Sequence, residues 1–399
     1  MKILHIIPSY LPATFASGPI IPTHNLNKEL VKKGVKIVVY TTNLDGKNIL
    51  NIPIGQEINV DGVKVFYFPI TFRPWQYSYK FHQALAKNIE EFDLIHITSV
   101  FLSASTLGAY YAKKYRKPYI ISPHGSLMKE PLKYKTLKKK IYLYLIEKRN
   151  LAEATVHFIV DIEKEDYFKT GLSLKKAIII SNSIDIENLQ KYNNIQKHDN
   201  IRINFRKKFN IDSDKKIILF LGRLYWIKGF DTLIPAFEKV IKEKSSAVLV
   251  LAGPDEGNYK KEIELMIGNR KLIIGKNVIF TGMLTGNDKI AAYQESDVFV
   301  LPSYTEALSM AIIEAMSFGI PIITTKNVGS ADSILKANAG IVIEKNEQQL
   351  TEAILKILNE PNLAKKMGEN GKRLVVEKFS ADKIANKWIE EYNKIIKNV

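Results

Sequence analysis

The chain has no cysteine among its 399 residues. This excludes a disulfide scaffold, a cysteine-ligated zinc site and a cysteine nucleophile, and it fits a reducing, cytoplasmic compartment. No apolar run approaches the ~18 residues that a membrane-spanning helix needs. Met1-Lys2-Ile3-Leu4-His5-Ile6-Ile7-Pro8 puts a charge before an apolar stretch, but Pro8 and Pro12 interrupt it early. The segment therefore reads as a first strand rather than a signal peptide. Arginine is also scarce, supplying 8 of 58 basic residues. Readers of DNA sequence favour the bidentate guanidinium, so this scarcity weighs against a nucleic-acid partner even at a net charge of +17.

Length and pattern bound the architecture. At about 150 residues per domain the chain makes two or three units. An apolar fraction of 46% beside 25% charged residues excludes a mainly disordered state. Short apolar runs alternate with helical patterns, the signature of parallel sheets wrapped by helices. Strands are expected at 3–7, 35–41, 63–68, 94–98, 118–122, 155–160 and 177–180. The pattern restarts at 217–221, 247–252, 278–281, 298–301, 320–324 and 340–343. Helices are expected at 22–33, 79–90, 104–114, 133–151, 230–244, 290–295, 308–317 and 348–359, with a last one at 380–397. The Asn-, Lys- and Asp-rich stretch 182–215 reads as a connection with one or two short helices. The expected α/β organisation is one domain over 1–195 and a second over 196–379, both doubly wound, with ligands outside the carboxyl ends of the strands.

Three groups of residues at expected strand exits carry chemistry. Gly222-Arg223-Leu224-Tyr225-Trp226-Ile227-Lys228-Gly229 follows strand 217–221. Glycine there lets the backbone approach a ligand, and two cations before a helix can straddle a diphosphate; the alternative is a solvated basic loop. After strand 298–301, Glu306 falls in a loop and Glu314 inside the following helix, roughly 10 Å apart at 1.5 Å per residue. The helix N-terminus between them, at Leu308 and Ser309, offers free N–H groups to an anion. A nucleotide sugar, with a diphosphate between two hydroxylated rings, fits that pattern. In the first half, Ser122-Pro123-His124-Gly125-Ser126 and Ser17-Gly18-Pro19 follow strands.

In this order the motifs resemble the retaining glycosyltransferases of family 4 (glycosyl transferases group 1), which have the GT-B architecture. The resemblance runs from Lys2 to about residue 392 and rests on five elements. These are Gly222-Arg223-Leu224 with Lys228-Gly229; Glu306 and Glu314 followed by Ala315-Met316 and Gly319-Ile320-Pro321; Phe280-Thr281-Gly282; Ser122-Pro123-His124-Gly125; and Asn182-Ser183-Ile184-Asp185. It implies two Rossmann-like parallel-sheet domains facing across a cleft, with the C-terminal helix 380–399 crossing back onto the first. It further implies that Arg223 and Lys228 bind the donor diphosphate, beside Gly222. Glu306 would bind the transferred sugar and Glu314 the ribose, while Leu308 and Ser309 present N–H groups to phosphate. Met283, Leu284 and Thr285 would contact the base, His124 the sugar near the reacting carbon, and Gly18 the phosphate. The chain departs from the family at Gly18-Pro19, where a Gly-Gly pair is usual and Pro19 lacks an N–H donor. It departs again at Ala307 and Ser309, where glycines are common, and at Asn182-Ser183, where Asn-Gly is common.

The implied reaction is a metal-independent, retaining transfer without a cofactor, the donor being a nucleotide sugar. Fixed cations would meet the charge that develops on the leaving phosphate. Asp212-Ser213-Asp214 precedes a strand and reads as a polar turn rather than a metal site. Met283 to Gly286 offer no acidic group for guanine, which favours a UDP-sugar over a GDP-sugar. Residues 129–149 hold eight basic and two acidic side chains around Ile141-Tyr142-Leu143-Tyr144-Leu145-Ile146. This segment is either a helix on an anionic membrane surface or a helix packed on its own sheet with a solvated basic edge. The first reading makes the enzyme peripheral on the inner face of a membrane, with a lipid-linked glycan of surface polysaccharide or lipopolysaccharide synthesis as acceptor. The rivals are a nucleotide-sugar epimerase or hydrolase of the same plan, and a basic nucleic-acid binder, which leaves Glu306 and Glu314 unexplained.

Overall fold

The computed structural model describes residues 1–13, 18–133, 136–186 and 205–398. The chain forms two compact units, one of Met1–Ile184 with Ala381–Val399 and one of Asp185–Ser380. The division falls at 184/185, where 195/196 was expected. Residues 187–204, where short helices were expected, lie outside the described residues, as does Ser17.

Unit 1 is built on β1 (Lys2–Ser9), α1 (Ile20–Lys32), β2 (Lys36–Thr42), the small pair β3 (Leu44–Asp45) and β4 (Asn48–Ile49), β5 (Glu57–Val60) and β6 (Val63–Phe68). It continues through α2 (Tyr79–Asn88), β7 (Leu94–Thr98), α3 (Ser103–Lys114), β8 (Tyr119–Ser122), α4 (Lys129–Lys133), α5 (Thr136–Tyr142), α6 (Lys148–Ala152), β9 (Thr155–Phe158), α7 (Asp161–Lys169) and β10 (Lys176–Ile179). Its main sheet runs β10-β9-β8-β7-β1-β2-β6-β5, parallel except where β5 pairs antiparallel with β6. Ile3, Leu4, Ile6 and Ile7 on β1 are almost fully buried, as a central strand covered on both faces requires. The segment expected as one helix over 133–151 is instead α4, α5, a π-helical turn Leu143–Glu147 and α6.

Unit 2 comprises β11 (Lys216–Leu221), α8 (Phe230–Glu243), β12 (Ala247–Ala252), α9 (Tyr259–Gly268), β13 (Val278–Gly282), α10 (Gly286–Gln294) and β14 (Val298–Leu301). There follow α11 (Met310–Ser317), β15 (Ile322–Thr325), α12 (Ala331–Ala337), β16 (Gly340–Ile343), α13 (Glu347–Asn359) and α14 (Pro361–Lys378). The sheet order is β13-β12-β11-β14-β15-β16, the doubly wound arrangement in which the winding reverses between β11 and β14. At such a reversal the loops leaving the two central strands diverge and open a crevice.

The last helix, α15 (Ala381–Lys397), belongs to unit 1. Its buried residues Ile384, Ala385, Trp388, Tyr392 and Ile395 fall on one helical face and join the cluster of Ile3, Ile7, Leu26, Leu30 and Ile120. The Lys33–Asp382 and Lys176–Glu391 ion pairs that flank this face are exposed enough to be weak, so the buried face seats the helix. Trp388→Ala is expected to cost unit 1 about 3–5 kcal/mol in denaturant unfolding. A loss below about 1 kcal/mol would show that the helix is not part of that core.

Candidate functional site

Unit 2 gathers most of the expected residues at its winding reversal. The loop after β11 turns through a short helical segment, Trp226–Lys228, that ends at Gly229 with φ +78°. A Cβ on Gly229 would lie 2.0 Å from the Pro302 carbonyl oxygen, so only glycine lets this loop meet the exit of β14. The two loops are then joined by the Tyr304 N–H donating to Ile227 O at 2.8 Å. Lys228 Nζ donates to Glu306 Oε2 in an ion pair whose side chains are 11% and 22% exposed. Glu306 is itself fixed by its backbone, its N–H donating to Asn327 O and its carbonyl accepting from the Gly329 N–H. Asp231 accepts from the Tyr304 hydroxyl and from Lys345, whose ammonium stands 3.8 Å over the Tyr304 ring.

Gly222 is placed by a second close approach. A Cβ on Gly253, at φ +147°, would strike the Gly222 carbonyl oxygen at 1.9 Å. The strand exits of β11 and β12 therefore run side by side, with Leu224 N–H donating to Pro254 O and Glu256 N–H to Leu224 O. This pairs the Arg223 guanidinium with Glu256 at 2.5 Å, both largely exposed. The two cations thus have separate carboxylate partners. A Cβ on Gly222 would be 4.0 Å from Lys228 Cε, which places Gly222 against the lysine stem.

Helix α11 starts at Met310 rather than Leu308, because Ser309 is its N-cap and its hydroxyl accepts from the Ile312 N–H at 3.4 Å. Ser309 and Leu308 are buried. Glu314, one turn in, accepts from the Tyr293 hydroxyl and from Lys289 Nζ, both at 2.7 Å. Burial first, and then the neighbouring Glu314 carboxylate, push the Tyr293 hydroxyl well above its ordinary pKa, so it stays a donor. Met283 is half exposed, Leu284 is buried and Thr285 is the N-cap residue of α10. Asp212-Ser213-Asp214 forms the turn that enters β11, at the amino end of the sheet. Among the described residues no group of three or more His, Asp or Glu side chains is arranged to hold a metal ion.

In unit 1 Gly18 is exposed, and no atom of the described residues lies within 4 Å of a Cβ built on it. His124 follows β8 in the left-handed region, at φ +49°, and Gly125 continues at φ +79°. Behind it runs a buried polar chain whose direction can be assigned. The Ile180 carbonyl can only accept, so His157 Nε2 carries the proton and donates to it at 2.7 Å. His157 Nδ1 then accepts from Ser122, Ser122 Oγ accepts from His96 Nε2, and His96 Nδ1 accepts from the Tyr392 hydroxyl, each at 2.8 Å. His5 stacks on His96 with centroids 4.3 Å apart. A cavity of about 20 Å³ is lined by His5, His96, His124, His157, Ser183 and Trp388.

The sequence reading missed Gly253, Glu256, Lys289, Tyr293 and Glu163. Glu256 had the same signal as its partner, a position just past a strand exit marked by Gly253-Pro254. Lys289 and Tyr293 lie four apart and so share one face of α10, though nothing local names Glu314 as their target.

Two family models match the chain, "Glycosyltransferase Family 4" over residues 23–188 and "Glycosyl transferases group 1" over residues 201–374. The uncharacterized glycosyltransferase MJ1607 of Methanocaldococcus jannaschii is 32% identical over 194 residues, about half (48%) of each chain. The capsular polysaccharide biosynthesis glycosyltransferase CapM of Staphylococcus aureus is 27% identical, over 67% of this chain and 69% of its own. The N,N'-diacetylbacillosaminyl-diphospho-undecaprenol alpha-1,3-N-acetylgalactosaminyltransferase of Campylobacter jejuni is 25% identical, over 79% of this chain and 81% of its own. Among solved structures, sucrose-phosphate synthase of Thermosynechococcus elongatus superimposes with a TM-score of 0.78 at 22% identity over all of both chains. Anabaena HepE, solved with UDP-glucose, gives 0.76 at 19% identity over 99% of this chain and 100% of its own. At these identities the structural likeness is one of fold, the GT-B fold of two Rossmann-like domains.

Burial pushes His5 and His157 down to about 4 and His124 to about 3, and holds His96 well below its usual range. Each depressed histidine contributes stability that is complete above its unfolded pKa of 6.5 and is lost as pH falls toward its folded value. Glu163, raised to about 7 by burial, acts in the opposite sense. The four histidines outweigh it, so the melting temperature is expected to fall from pH 6.5 to 4.5 in scanning calorimetry. A flat or rising profile would contradict the neutral assignment. With the fold, the motif order and both family models in agreement, the chain belongs to the glycosyltransferases of family 4 and group 1.

Proposed function

We propose that the enzyme transfers a sugar, with retention and without a metal ion, from a nucleotide diphosphate sugar to a lipid-linked glycan acceptor in surface polysaccharide or lipopolysaccharide assembly. The observation that carries the reading is the Lys228–Glu306 pair, held by Gly229 at the winding reversal of unit 2. A cation already desolvated there can exchange its carboxylate for a diphosphate. Glu306 is then free to accept from sugar hydroxyls, while Arg223, on its exposed pair with Glu256, supplies a second, mobile cation. Glu314, fixed by Tyr293 and Lys289, has the rigidity to read ribose hydroxyls. Leu308, Ser309 and Gly222 are assigned to phosphate and Met283 to Thr285 to the base; in unit 1, Gly18 and the neutral imidazole of His124 are the residues assigned to substrate. The names of the HepE and Campylobacter proteins support a UDP-sugar donor and a diphospho-lipid acceptor respectively.

In the reaction the bond from the anomeric carbon to the β-phosphate oxygen breaks and the acceptor oxygen bonds to the same face of that carbon. The acceptor proton passes to the departing phosphate oxygen. Lys228 and Arg223 oppose the negative charge that this oxygen gains. A peripheral location has its own support. Leu137, Ile141, Tyr144 and Leu145 are exposed at helical spacing, at 73%, 52%, 57% and 69%, beside exposed Lys140, Lys148 and Arg149. Leu143, Glu147 and Leu151 point inward, so this outer face is apolar with a basic rim, the composition of a surface that lies on anionic lipid.

Lys228→Ala and Glu306→Ala are each expected to lower sugar transfer by about 10²–10³-fold while the fold survives. The assay is release of UDP from UDP-glucose or UDP-N-acetylglucosamine, and near-normal turnover in either variant would place the site elsewhere. Glu314→Ala is expected to weaken UDP binding by about 10- to 100-fold in calorimetry, the loss of a charged hydrogen bond. Unchanged affinity would remove its ribose role. Vesicles of phosphatidylglycerol are expected to float the protein and vesicles of phosphatidylcholine to leave it behind, with Leu145→Glu lost from both. Equal, negligible binding to the two lipids would contradict the membrane reading.

A further inference from the structure

Glu163 is among the least exposed charged residues of unit 1, at 0% exposure. It lies in the first turn of α7, where a carboxylate is favoured by the helix dipole. Among the described residues no lysine or arginine is paired with it; its two oxygens accept instead from backbone amides of two different strand exits. Oε1 takes the Gly125 N–H at 2.5 Å and Oε2 the Ile159 N–H at 2.8 Å. Burying a carboxylate on neutral donors is costly, and burial pushes its pKa up to about 7. An apolar side chain would avoid the buried charge but would leave the Gly125 and Ile159 amides without an acceptor, so the carboxylate needs a reason. The turn it holds supplies one: His124 and Gly125 are consecutive left-handed residues, and for a non-glycine that costs roughly 1–2 kcal/mol. Such a turn persists only where its surroundings fix it. The other contacts of the turn, Ser126 N–H to Pro123 O and Met128 N–H to Gly125 O, leave the Gly125 amide to Glu163. Glu147 makes a similar device one strand over, with Oε1 accepting from the Phe101 N–H where Phe101 has φ +65°.

We propose that Glu163 is the positioning residue of the enzyme's His124: its two carboxylate oxygens tie the exits of β8 and β9 together and lock the left-handed turn that fixes the imidazole. A glutamine offers one acceptor oxygen and sets an NH2 against the second amide, so it cannot hold both. The inference rests on the reading of His124 as a substrate contact, and the test separates the two.

The variants are Glu163→Gln, Glu163→Asp, His124→Ala and the Glu163→Gln/His124→Ala double, assayed by UDP release from UDP-glucose and by amide NMR of Gly125. Glu163→Gln is expected to shift the Gly125 amide proton upfield and to lower kcat by about 10- to 100-fold, with the KM for UDP-glucose little changed. Glu163→Asp, which keeps both oxygens, is expected to recover part of the turnover. The double variant is expected to be no slower than His124→Ala alone, because both changes remove one function. An unmoved Gly125 amide, or losses that multiply in the double variant, would overturn the proposal. Wild-type turnover in His124→Ala would contradict the role of His124 instead, and the Gly125 amide would still decide whether Glu163 holds the turn.

Discussion

A partly buried ion pair between Lys228 and Glu306 sets the terms for the rest of unit 2. Two opposite charges withdrawn from water are stabilising only when their geometry is held, because the cost of desolvation offsets most of their attraction. Here the geometry is held by backbone rather than by side chains. Gly229 lets one loop touch the Pro302 carbonyl, the Tyr304 amide joins the two loops, and residues 327–329 clamp Glu306 from behind. The pair therefore stands ready before any ligand arrives. In the proposed reaction, an anion reaching Lys228 would replace one carboxylate by another negative group, a nearly balanced exchange that would leave binding energy for the transition state.

Unit 1 follows a different principle. The strand exits around His124 rest on neutral, directional hydrogen bonds, running from Tyr392 on the C-terminal helix through His96, Ser122 and His157 to the Ile180 carbonyl. Such a chain is stabilising when every member is satisfied and costly when one is not. Burial keeps the imidazoles uncharged, which preserves the single proton arrangement. Because Tyr392 and Trp388 are supplied by α15, the last helix is part of the machinery that shapes the His124 region as well as part of the core.

How much of this could be read from the chain depends on how local each cause is. Strands such as Ala247–Ala252 are uninterrupted apolar runs buried on both faces, and the pattern alone locates them. The helix Pro361–Lys378 was hidden because it contains Gly368 and Gly371, which depress helix propensity. They are there for packing: a Cβ on Gly368 would lie 1.9 Å from the Gly319 carbonyl oxygen. Strand Glu57–Val60 was missed because it is a four-residue edge strand, half solvated. At the site, Arg223, Lys228, Glu306 and Glu314 were legible because strand exits and a helix start mark them. Their partners Glu256, Lys289 and Tyr293, like Glu163 beneath His124, are chosen by topology, which brings together residues 21 to 38 positions apart.

The claim that Lys228 trades Glu306 for a diphosphate is tested most directly by the crystal structure of the complex with UDP. The account predicts diphosphate oxygens within hydrogen-bonding distance of Lys228 Nζ, the Glu306 carboxylate displaced from it, and the ribose hydroxyls on Glu314. A nucleotide bound elsewhere, with the Lys228–Glu306 pair intact, would contradict it.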